Sequence, residues 1–212
     1  MTNTHLSEEP LNVGADLGLG RVVVVAVHGR GQSPAYMLEH VVGKVFDAEV
    51  TWLLPAAAGN SWYPLGFLAP LADNQPNLDH ALDMLTAIHA RLASHGITDE
   101  RIVWLGFSQG ACLVSEWVAR HPSRWGGLVA FTGGYIGEPG LPRSIDGDLA
   151  GTPAYFGVGD HDDWVPLERV RETVALYEAA GADVQLDVFP GRPHEVGAPE
   201  IEVAQRIIRA VR

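Results

Sequence analysis

From Arg21 to Val27 the chain reads RVVVVAV, an apolar and mostly β-branched run with no polar alternation. A strand that is apolar on both faces is one buried on both, so this run predicts a central strand of a parallel sheet. Shorter runs of the same kind at Glu49 to Leu54, Arg101 to Leu105, Gly127 to Phe131, Pro153 to Val158 and Asp183 to Phe189 bring the predicted strands to six. Between most of them lie stretches of helical spacing, at about 35–46, 78–94, 109–120, 167–180 and 199–211. In the second, Leu78, Ala81, Leu82, Leu85, Ile88 and Leu92 form one stripe along a helix, and Gly96 offers a C-terminal stop. Strand and helix therefore alternate. That rhythm predicts an α/β fold with a mostly parallel central sheet, helices on both faces and right-handed crossovers.

Two segments break the rhythm, Pro55 to Pro76 and Thr132 to Gly151, both rich in glycine and proline and both too short for a second domain. Long loops in a compact α/β domain are often functional, and the first carries Trp62, Tyr63 and Phe67. With 212 residues, 47% of them apolar, the chain is expected to build one domain over residues 21–212, after a polar and partly disordered segment at residues 1–20.

Charge narrows the partners. The formal net charge is −12, from 14 basic and 26 acidic residues, and no cluster of lysine and arginine could track a phosphate backbone or an anionic bilayer. Nucleic acid is not an expected partner. The opening MTNTHLSEEP has neither a basic nor an apolar region of a secretory signal, and no stretch approaches the ~18 apolar residues of a spanning helix. A protein without stable membrane insertion, located in the cytoplasm, is the expectation. Cys112 is the only cysteine, which excludes an internal disulfide and any cysteine-rich zinc site.

The sharpest local feature is Gly106-Phe-Ser-Gln-Gly110, which follows the run Arg101 to Leu105 and opens the helix at about 109. Two readings fit it. A strand-to-helix turn can simply contain glycine, with Ser108 as an N-cap. Alternatively the turn is a G-x-S-x-G nucleophile elbow, in which small flanking residues let backbone segments approach and leave the serine exposed above the sheet. Further along, GDHDDWVP follows the predicted strand ending at Val158, and FPGRPHEV, with His194, ends the last one. Serine, aspartate and histidine thus occur in the chain order of α/β-hydrolase triads, each on a loop after a strand. Composition leaves open which of Asp160, Asp162 and Asp163 would face the imidazole.

Together with Val27-His-Gly-Arg-Gly31, these motifs resemble the small phospholipase/carboxylesterase branch of the α/β hydrolases, which includes acyl-protein thioesterases; the resemblance runs from about residue 21 to the end. It implies an α/β-hydrolase fold without a large cap domain and a catalytic set of Ser108, Asp162 and His194. It also implies that no metal or organic cofactor is used. Negative charge on the former carbonyl oxygen calls for two fixed N–H donors. Gln109, at the start of the elbow helix, is expected to supply one from its backbone, and by resemblance Arg30 supplies the other. Family members often carry aspartate after HGxG and W-F-D in the loop following the second strand, whereas this chain has Gln32 and Tyr63-Pro64. His28 is expected to be a hydrogen-bonded structural residue, the Arg30 side chain to be solvated, and Cys112 to be inert helix core.

The resulting expectation is a serine hydrolase of the carboxylesterase or thioesterase type. Aromatic walls from Trp62, Tyr63, Phe67 and Trp164 suit an apolar acyl or aryl group, and a chain without room for a large cap suits small to medium ones, so the expected partner is a small-molecule ester or thioester. An exposed edge strand or apolar helix face would serve a homodimer. The alternatives are a non-catalytic ligand-binding protein on the same fold, and a triad enzyme that hydrolyses a carbon–carbon or peptide bond instead.

Overall fold

In the computed structural model, residues 2–7 and 9–211 are described. The strands are β1 (Leu11–Gly14), β2 (Val23–Val27), β3 (Thr51–Leu54), β4 (Ile102–Phe107), β5 (Gly127–Phe131), β6 (Pro153–Gly159) and β7 (Asp183–Phe189). They form one seven-stranded sheet in the order β1-β3-β2-β4-β5-β6-β7. All neighbours are parallel except β1, which runs antiparallel to β3 with Leu11 opposite Leu54. The unbroken apolar run of β2 is explained by two cores. Val23, Val25 and Val27 enter one, while Val22, Val24 and Ala26 enter the other across the sheet.

The helices cover both faces. α1 (Pro34–Met37), a π-helical turn (Leu38–Val42), α2 (Gly43–Val45) and α6 (Ala198–Ala210) pack on one side through Met37, Val41, Val45, Ile201 and Ile208. α3 (Asn77–Ser94), α4 (Gln109–Arg120) and α5 (Leu167–Ala179) pack on the other through Leu85, Trp117 and Tyr177, among others. The stripe predicted for α3 is buried as expected, and Met84 joins it. Its stop at Gly96 has φ +73°, with Gly96 N–H donating to Ala93 O and Ile97 N–H to Leu92 O, a Schellman motif.

Two details differ from the sequence pattern. The helix expected over 35–46 is interrupted by the π-helical turn, and the N-terminal stretch contributes β1, where a polar segment was expected. Between β3 and α3, and between β5 and β6, the described residues contain nothing larger than short 3-10 turns, so no cap covers the carboxyl edge of the sheet. Among the described residues no helix is long and apolar enough to cross a membrane.

Candidate active site

Parallel strands present their carboxyl ends at one edge, and the segments following β2, β4, β6 and β7 all emerge there. After β4 the chain turns sharply into α4 at Ser108, whose φ is +55° and ψ −120°. That conformation is uncommon for any residue with a Cβ. It is held by Ser108 N–H donating to Phe131 O at 2.9 Å and by the close approach of the two flanking glycines. A Cβ on Gly106 would stand 2.5 Å from the Gly110 backbone, and one on Gly110 would stand 2.2 Å from Val27 O. The Ser108 side chain does not cap α4. Its Oγ instead lies 2.8 Å from His194 Nε2.

On the far side of the imidazole, His194 Nδ1 is 2.7 Å from Asp162 Oδ2. The other carboxylate oxygen of Asp162 accepts from Trp164 N–H and Val165 N–H, both at 2.9 Å. Burial raises this carboxyl's pKa, but the bond from His194 and the two backbone N–H groups outweigh it, leaving Asp162 below its ordinary value. With Asp162 as acceptor, Nδ1 carries the proton and Nε2 presents a lone pair to Ser108. The other two aspartates do not reach the ring. Asp160 accepts from Gly191 N–H at 2.6 Å, tying the aspartate loop to the histidine loop, and Asp163 is exposed.

The turn after β2 is locked amide by amide. Gly29 N–H donates to Gln32 Oε1, Gly31 N–H to Asn60 O and Gln32 N–H to Gly29 O. Among the described residues, the Arg30 N–H of this turn and the Gln109 N–H at the start of α4 donate to no protein acceptor. The Arg30 side chain, expected to be solvated, is engaged: its guanidinium donates to Pro64 O and Leu65 O and lies 5.9 Å from the Tyr63 ring. His28 is structural. Its Nδ1 faces Gly29 O at 2.7 Å and its Nε2 accepts from Ala57 N–H at 3.1 Å, an arrangement that a neutral ring satisfies. Burial lowers its pKa accordingly.

A cavity of about 370 Å³ borders Ser108 and His194 and is walled by Tyr63, Phe67, Phe107, Cys112, Trp164 and Val165. Three of the four aromatic residues expected in the walls are therefore present, Trp164 as an exposed rim residue at 74%. Trp62 is not among them. It is 0% exposed, with its Nε1–H donated to His28 O and its ring packed against those of His5 and His28, so it plugs the loop onto the core. Sequence reasoning missed the Gln109 side chain, which accepts from Trp62 N–H and donates to Tyr63 O, fixing the aromatic loop beside the serine. It also missed Cys112 as a wall residue, although its place four residues after Ser108 puts both on one helix face. Burial raises that thiol to about 12, so it stays protonated.

Comparison with known proteins gives one family. The sequence profile of the phospholipase/carboxylesterase family matches residues 20–212. Acyl-protein thioesterase 1 of Debaryomyces hansenii is 26% identical over 165 residues, covering 74% of this chain and 71% of that protein. Its counterpart in Saccharomyces cerevisiae is 32% identical over 110 residues, so the match spans 50% of this chain and 48% of that one. The crystal structure of a phospholipase/carboxylesterase from Dyadobacter fermentans superposes with a TM-score of 0.88 at 37% identity, covering 95% of this chain and 97% of that chain.

Proposed function

We propose that this chain, which belongs to the phospholipase/carboxylesterase family, hydrolyses carboxylic esters or thioesters of small to medium acyl chains through an acyl-enzyme on Ser108. The observation that carries the reading is the hydrogen-bonded chain from Ser108 Oγ through His194 to Asp162, with spacings of 2.8 and 2.7 Å. A serine hydroxyl is a weak nucleophile near neutral pH, so a base must take its proton as the new bond forms. His194 Nε2 is that base, and Asp162 holds the tautomer and stabilises the imidazolium without taking the proton itself. The tetrahedral oxygen receives the free N–H groups of Arg30 and Gln109. His194 then protonates the leaving alcohol or thiol, and water activated by the same nitrogen releases the acid.

The size of the cavity, about 370 Å³, and its aromatic and aliphatic walls support an apolar acyl group of limited length. The single cysteine supports a reducing, cytoplasmic location. The test is a series of nitrophenyl esters from acetate to palmitate, run beside the matching acyl thioesters. kcat/KM is expected to be about tenfold or more higher for short and medium chains than for palmitate. A maximum at palmitate would overturn the chain-length assignment, and no hydrolysis of any ester or thioester would overturn the reaction class.

A further inference from the structure

Glu200 belongs to none of the active-site motifs and reads in sequence as an ordinary acidic residue in the first turn of a helix. Its side chain is nevertheless wholly buried, at 0% exposure. One oxygen, Oε2, accepts both from Gly197 N–H at 2.7 Å and from the guanidinium of Arg192. His194 stands between those two partners in the chain. Arg192 is itself fixed, with its guanidinium 3.5 Å from the centre of the Phe189 ring and its carbonyl accepting from His161 N–H at 3.3 Å. The loop that carries His194 is thus gripped on one side by the aspartate loop, through Asp160 to Gly191 and His161 to Arg192, and on both sides by Glu200.

We propose that Glu200 is a positioning residue for the proposed hydrolytic reaction, holding Arg192 and Gly197 together so that the His194 ring stays between Ser108 and Asp162. An exposed glutamate at this helix position would cap α6 equally well. Burying the charge is costly, and a helix cap alone gives no reason for it. What burial adds is the bond to Arg192, which converts a cap into a brace across the histidine loop. Burial pushes the Glu200 carboxyl above its ordinary range, against the opposing pull of the Gly197 N–H and Arg192. The other carboxylate oxygen, Oε1, has no hydrogen-bond partner among the described residues. Space for it exists because residue 157 is glycine; a Cβ there would stand 2.3 Å from Oε1 and 2.9 Å from the Tyr155 hydroxyl, which bonds Asp187.

The inference rests on the hydrolase reading, and its test is built to fail separately. Glu200→Ala, Glu200→Gln and Gly157→Ala are compared with the wild type on a nitrophenyl ester, each well below its own melting temperature. The low-field proton resonance of the His194 Nδ1–H bonded to Asp162 is recorded alongside. Glu200→Ala is expected to lower kcat by about 10- to 100-fold, because a small misplacement of a reacting group costs that much, with KM within about twofold and the resonance broadened or lost. Glu200→Gln should fall between, since its amide oxygen still accepts from Gly197 but forms no ion pair with Arg192. Gly157→Ala, whose added Cβ would meet the Glu200 carboxylate first, should reproduce the loss by displacing it. Folded variants that keep both kcat within about twofold and the resonance would overturn the proposal and leave Glu200 as a cap alone. If Glu200→Ala does not fold, the other two variants decide. If the wild type hydrolyses no ester, the hydrolase reading fails and the resonance still decides whether Glu200 positions the ring.

Discussion

Ser108→Ala is expected to reduce kcat for ester hydrolysis by roughly 10⁴-fold or more while leaving the melting temperature within a few degrees of wild type. The side-chain hydroxyl bonds His194 and does not cap α4, so removing it costs the fold little. Alanine carries the same Cβ through the same φ of +55°, so the backbone strain at the elbow is unchanged. His194→Ala should produce a loss of similar size, and the double variant should be hardly worse than either single one, because a nucleophile without its base and a base without its nucleophile are both idle. Steady-state kinetics on protein free of contaminating esterase, with thermal unfolding in parallel, check both. Activity retained in either variant would mean that the serine and histidine meet for another reason.

The second large effect is expected at Asp162. Asparagine keeps the shape of the side chain and can still accept from Trp164 and Val165 N–H, so Asp162→Asn should fold. It removes the negative partner of the imidazolium and allows the ring to turn its basic nitrogen toward the amide, so kcat should drop by roughly 10⁴. The neighbours provide the control. Asp163→Asn, at an exposed position, should stay near wild type. Asp160→Asn should lose at most about one or two decades, because it loosens the bond to Gly191 and hence the histidine loop rather than the charge beside the ring. A collapse at Asp163 with Asp162 nearly silent would reassign the carboxylate.

Much of the architecture was legible because burial on both faces leaves an unmistakable mark, as in the uninterrupted valines of β2. Strand β1 left none: Leu11-Asn-Val-Gly14 is short and largely exposed, and it is a strand because the β3 edge offers it hydrogen bonds. The π-helical turn after Met37 was equally hidden, since the apolar spacing of Met37, Val41 and Val45 serves an α-helix as well. The active-site loops could be read from chain order, because a parallel sheet gathers the segments after its strands at one edge. Which of three aspartates within four positions turns inward could not be read from chain order, and only the family resemblance pointed to Asp162, because the choice depends on the backbone N–H groups of Trp164 and Val165. Aromatic content alone likewise did not separate Tyr63, at the cavity, from its neighbour Trp62, whose indole is claimed by His28 O. Glu200 was invisible for the opposite reason: a charged residue in the first turn of a helix is ordinarily solvated, and here the packing of α6 against β6 at Gly157 buries it.

Reaction with a fluorophosphonate bears most directly on Ser108 as a nucleophile activated by His194, because the probe needs no assumption about the natural acyl group. Intact-protein mass spectrometry of the wild type should show a single added phosphonyl group, peptide mapping should place it on Ser108, and the labelling rate should collapse in His194→Ala. An unlabelled Ser108, or a serine labelled equally fast without His194, would contradict a hydrolase mechanism at this site.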